Sequence, residues 1–123
     1  MDITGLVTHE SAECVIRHPQ TNKPTDIKIK LYGLDSKRFR EVSKLNAQTK
    51  LQEKAHGAET EDGPETDAAF FADLTVGWEG VEMDGKALPF TRENAIKVYT
   101  LSSPIRTQVN QFILRTANFL PKP

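Results

Sequence analysis

FFADLTVGWEGVEMDGKALPFTRENAIKVYTLSSPIRTQVNQFILRTANFL, residues 70–120, decides how the rest of the chain is read. It holds the single tryptophan and all but one of the 6 phenylalanines. Phe70, Leu74 and Trp78 recur at i, i+4 and i+8 with Phe71 alongside. That spacing predicts a helix opened by Glu65, Thr66 and Asp67 and running to Trp78, with Gly77 near its end. Asp84-Gly85 suits a tight turn with positive φ between two short extended pieces. Pro89 keeps any helix from crossing that point. Thr91 is a good N-cap, with Glu93 in the first turn of a helix over 91–101. Ser102-Ser103-Pro104 restarts the chain as a second helix. Ile105, Val109, Phe112, Ile113 and Leu120 lie on one face of it. The large side chains around the turn, Phe70, Phe71, Leu74, Trp78, Leu88 and Phe90, are expected to pack on one another, because aromatics at helical spacing usually face inward.

Working outward toward the N-terminus, the period changes. Cys14 and Ile16, then Ile27, Ile29 and Leu31, alternate with polar residues, which predicts half-buried strands over 12–18 and 26–32. Pro19 to Thr25 between them is turn chemistry, so the two form an antiparallel hairpin. A hairpin is marginal alone, and its apolar face must meet helices or another copy. Met1 to Glu10 reads as a loosely held arm. Asp35-Ser36 offers an N-cap to a helix reaching His56, with Phe39, Val42 and Leu45 as its apolar stripe. Its other faces carry Lys37, Arg38, Arg40, Lys44, Lys50 and Lys54, interleaved with Asp35, Glu41 and Glu53. Gly57 to Asp67 is acidic, with no large apolar residue, and reads as a flexible connector. The expected architecture is α+β: an N-terminal antiparallel β-hairpin followed by a mainly α-helical bundle. It is one domain over 1–123, with the hairpin at 11–34, the basic helix at 35–56, the acidic linker at 57–67 and the aromatic-rich helical part at 68–120.

Composition narrows the function classes. With 16 basic and 17 acidic residues in 123, no global field is present to hold nucleic acid or an anionic membrane. A lone cysteine, Cys14, forms no internal bridge and reads as a small apolar strand residue. No stretch has the ~20 apolar residues of a membrane helix, and the start lacks the marks of a secretory signal. His9, His18 and His56 have no partners at metal-ligand spacing. The acidic residues from Asp62 to Asp67 do not fit an EF-hand. No nucleophile elbow, phosphate loop or dinucleotide fingerprint occurs. The reading is therefore a non-enzymatic binding protein with no metal and no cofactor.

The run Trp78, Gly80, Val81, Asp84, Gly85, Lys86, Leu88, Pro89, Phe90, Thr91, Glu93, Asn94 and Ala95 forms a W-x-G-V-x-x-D-G-K-x-L-P-F-T-x-E-N-A pattern. Pro104, Phe112, Ile113, Asn118 and Phe119 follow it. With the earlier stretch from Arg17 to Lys37, this resembles the tail assembly chaperones of long-tailed bacteriophages and prophages. The resemblance covers most of the chain, and none of its residues is chemically diagnostic. It implies a protein that coats the helical tape-measure protein and leaves as tail-tube protein polymerises around it. It also implies self-association into a homo-oligomer, a place in the host bacterial cytoplasm, and absence from the mature virion. Such chaperones often have a short form and a frameshifted longer form, and an end at Phe119 to Pro123 fits the short one. Partner binding is expected at Phe112, Ile113, Phe119 and Leu120, an apolar stripe that exceeds what a small core needs. Replacing Phe119 and Leu120 by polar residues is then expected to spare the fold. The hairpin edge is expected to pair copies with one another. Two other readings stay open: a small nucleic-acid-associated or regulatory module using helix 36–54, and a minor tail structural or completion protein.

Overall fold

The computed structural model describes residues 2–45 and 64–120, the side chains of 64–67 excepted. The fold is α+β and does begin with an antiparallel hairpin, β1 (Ser11–Arg17) and β2 (Pro24–Tyr32). Cys14 pairs with Ile29, and Cys14, Ile16, Ile29 and Leu31 share the buried face, as period-two alternation requires. The turn closes tightly: Asn22 N–H donates to His18 O and His18 N–H to Lys23 O, with Asn22 at φ 56°. Asn tolerates this left-handed backbone better than most residues.

Residues 37–45 form the described part of helix α1. Its cap is Ser36, whose hydroxyl accepts from Phe39 N–H at 3.0 Å and donates to Gly33 O at 2.7 Å. The Glu10 carboxylate adds a second cap, accepting from Lys37 N–H at 3.0 Å. The arm before it is less loose than its sequence suggests. Ile3–Leu6 makes one 3₁₀ turn capped by Asp2, and Glu10 O accepts from Gly33 N–H. The expected helix segment 46–56 and linker segment 57–63 lie outside the described residues.

Helix α2 (Pro64–Asp73) takes in residues 64–67, which therefore belong to a helix and not to a linker. Proline in its first turn costs nothing, because that N–H has no helical partner. The helix does not continue to Trp78. It stops at Asp73, and Thr75–Glu79 forms β3, the third strand of a sheet ordered β1-β2-β3. Trp78 sits opposite Ile29 and Gly77 opposite Lys30. Gly77 is thus a strand residue and not a helix C-cap. The reason is long-range: Tyr32 N–H finds its acceptor in Leu74 O at 2.8 Å, and the outer groups of β2 find theirs in β3. The part from 68 to 120 is consequently not a plain helical bundle.

β4 (Glu82–Met83) and β5 (Lys86–Ala87) flank Asp84 and Gly85, at φ 54° and 79°, as a two-residue hairpin. Helix α3 (Arg92–Leu101) is capped by Thr91, and α4 (Ser103–Leu114) by Ser102 with Pro104 in its first turn. α4 ends earlier than its apolar stripe. Arg115 is extended, and Thr116–Phe119 forms a 3₁₀ turn. The core joins the inner sheet face to Phe71, Leu74, Tyr99, Val109 and Ile113. Tyr99 sits at its centre, sharing a 2.7 Å hydrogen bond with Thr75, whose hydroxyl also lies 2.8 Å from Phe71 O.

Candidate functional site

The motif residues form one small module around the second hairpin. Trp78 Nε1–H donates to Leu88 O at 2.8 Å, and its indole meets Phe90 edge-on at 5.1 Å. Leu88 N–H donates to Val81 O at 2.9 Å, which closes the β4–β5 loop onto its own base. Asn94 reaches back, its side-chain amide donating to Pro89 O at 2.9 Å while its N–H takes the Thr91 cap at 3.0 Å. Each of these residues thus has a structural task. Between Trp78, Val81, Leu88, Pro89 and Phe90 the module leaves an open cleft of about 300 Å³. Trp78, Leu88 and Phe90 are half-buried, whereas Ala87, Pro89, Asp84 and Gly85 are exposed. Among the described residues Glu79 is the only charged one on the cleft wall.

Phe70 and Phe71 do not join that cluster ring to ring. They belong to a separate aromatic chain, with Phe39 to Phe70 at 5.7 Å, Phe70 to Phe71 at 5.8 Å and Phe71 to Tyr99 at 6.1 Å. Phe71 is buried and Phe70 half-buried against the core.

The residues expected to bind a partner are placed differently from one another. Ile113 and Phe119 are each only 2% exposed and are core residues in the folded chain. Phe112 and Leu120 are half-buried. The turn after α4 explains this: it swings Phe119 back so that its ring meets Phe112 edge-on at 5.4 Å and covers Gly33. Asn118 holds the turn by donating to Phe112 O at 3.0 Å. A surface made of all four residues therefore does not exist, and polar replacement of Phe119 would disrupt the core. The apolar side chains that do reach solvent near the helix ends are Leu101 and Leu114, which the apolar stripe did not single out.

In the described part of the basic helix Arg38 and Val42 are engaged with the protein, while Lys37, Arg40 and Lys44 are exposed. Arg38 donates from Nε to Asp73 O at 3.1 Å and lies 3.9 Å from Glu41, while Val42 is buried. Asp73 also receives Arg92 Nε at 2.8 Å, so one carboxylate ties α2 to the start of α3. His56, Lys50 and Lys54 lie outside the described residues. Burial pushes the Cys14 thiol up to about 11, so it stays protonated at neutral pH. Among the described residues no group of His, Cys, Asp and Glu could hold a metal ion, and no helix is long and apolar enough to cross a membrane.

No protein-family model, curated protein or solved structure matches this chain.

Proposed function

We propose that this chain is a tail assembly chaperone of a long-tailed bacteriophage or prophage, binding helical segments of a tape-measure protein ahead of tube polymerisation. The observation that supports it is the coincidence of the motif with a partner-sized feature. Trp78, Val81, Leu88, Pro89 and Phe90, quoted above for the resemblance, are also the apolar wall of the 300 Å³ cleft. Such a cleft suits one large apolar side chain of an amphipathic helix, the mode by which helix-in-groove partners anchor. Its openness suits a client that must later be displaced by tube subunits. In this reading the protein uses no cofactor, performs no chemistry, and works in the host cytoplasm.

The test is co-expression with overlapping tape-measure fragments, followed by capture at low and high salt. Capture that persists at high salt is expected, because apolar contacts are not screened. The double variant Ala87→Glu/Pro89→Glu changes only exposed positions of the module and is expected to lose the client while keeping its melting temperature. Absence of capture, together with salt-sensitive retention of DNA or RNA, would sink the reading in favour of a nucleic-acid module.

A further inference from the structure

We infer that the groove between the outer edge of β1 and helix α4 is a docking site for a short extended segment of a partner protein that carries a carboxylate. Main-chain groups alternate along β1. Gly33 N–H donates to Glu10 O at 3.0 Å, and with Ala12 opposite Leu31 and Cys14 opposite Ile29, Glu10, Ala12 and Cys14 face β2. His9, Ser11, Glu13, Val15 and Arg17 therefore turn their main-chain groups outward. Both ends of that outer row are closed. His9 N–H donates to Phe119 O at 2.6 Å. At the other end the Gln108 amide acts as a ladder partner, accepting from Arg17 N–H at 2.7 Å and donating to Arg17 O at 2.8 Å. Among the described residues nothing bonds the outward groups of Ser11, Glu13 and Val15. At ~3.4 Å per residue this open window is about 14 Å long, the length of a short added strand.

Because Gln108 and Phe119 both reach this edge, the chain between them runs beside β1. The groove so formed has a volume of about 580 Å³ and is lined by Val15, at one end of the open window, together with Gln111, Phe112 and Arg115. Among the described residues its wall contains Arg17, His18 and Arg115 and no Asp or Glu. Arg17 spends one donor on Asn22 O at 3.0 Å, and Arg115 has no carboxylate partner among the described residues. A row of free peptide groups takes a polypeptide, and two uncompensated guanidinium groups beside it select a carboxylate, which Arg binds in a matching fork. A second copy fits less well. Two β1 edges paired about Glu13 would set this carboxylate against its own counterpart, whereas a peptide can place its carboxylate at the Val15 end of the row, where Arg17 and Arg115 lie. The offset that places Glu13 opposite Arg17 needs main-chain groups that Gln108 already holds. The site is separate from the apolar cleft and does not depend on the chaperone reading.

The experiment is an amide NMR titration of the full chain with two capped heptapeptides, Thr-Val-Glu-Val-Asp-Val-Thr and the same peptide with Lys at both acidic positions. The acidic peptide is expected to shift the Ser11, Glu13 and Val15 amides, and Arg115→Glu to weaken it about tenfold with an unchanged melting curve. Three results would overturn the proposal. They are no shift of those amides at millimolar acidic peptide, equal shifts with the Lys peptide, and the same shifts on concentrating the protein alone, which would make a second copy the occupant.

Discussion

Gly80 is the position with the least freedom. Its φ of 77° lies in the left-handed region, and a Cβ there would collide with the main-chain oxygen of Asp26. Either fault alone is costly, and the second involves backbone on the neighbouring strand, which cannot swing away. Gly80→Ala is expected to lower stability by at least about 2 kcal/mol in a denaturant melt. Gly77 provides the contrast. It sits in β3 with nothing near its missing Cβ, so Gly77→Ala is expected to be neutral or slightly stabilising. A Gly77→Ala variant as damaged as Gly80→Ala would show that crowding at Asp26 is not the reason.

Among the elements, those with local signals were readable and those made by distant partners were not. The hairpin face, the Asp84-Gly85 turn and the Ser36, Thr91 and Ser102 caps were legible because each lies within a few residues of its cause. β3 was not. Phe70, Leu74 and Trp78 fit a helical stripe, and only the unpaired outer groups of β2, nearly fifty residues away, convert Thr75–Glu79 into a strand. The candidate site was less legible: Trp78 and Phe90 were expected to pack together and do meet, but nothing local marked the cleft they line, and the stripe at Phe112 and Ile113 hid the 3₁₀ turn that folds Phe119 inward. The turn is held by that ring as much as by its own hydrogen bonds. Phe119→Ala is therefore expected to cost about 3–4 kcal/mol. Loss of less than about 1 kcal/mol, by urea titration, would return Phe119 to the surface.

At the scale of the whole molecule, two titratable groups among the described residues, Cys14 and Tyr99, lie inside the core that the hairpin and the four helices share. Burial raises Cys14 from its ordinary 9.0 to about 11, and burial also pushes the Tyr99 hydroxyl upward against the opposing effect of its Thr75 hydrogen bond. Raised values mean that the unfolded chain loses these protons before the folded one does. Their contribution is complete below pH 9 and is lost as pH climbs toward 11 for the thiol, with the tyrosine adding to the loss above its ordinary 10.0. Melting temperature is expected to fall steadily from pH 9 to 11, and Cys14→Ala to flatten the first part of that fall; an identical slope in the variant would remove Cys14 as a cause. The bond from His9 to Phe119 has a consequence in time. Its two halves are separated by ~110 residues, which a ribosome adds at roughly 5–20 per second, so the upper edge of β1 emerges about 5–20 s before the residue that closes it. For that interval the His9 end of the row is unguarded along with the Ser11–Val15 window, and crowded polysomes are where this protein is most exposed to mispairing.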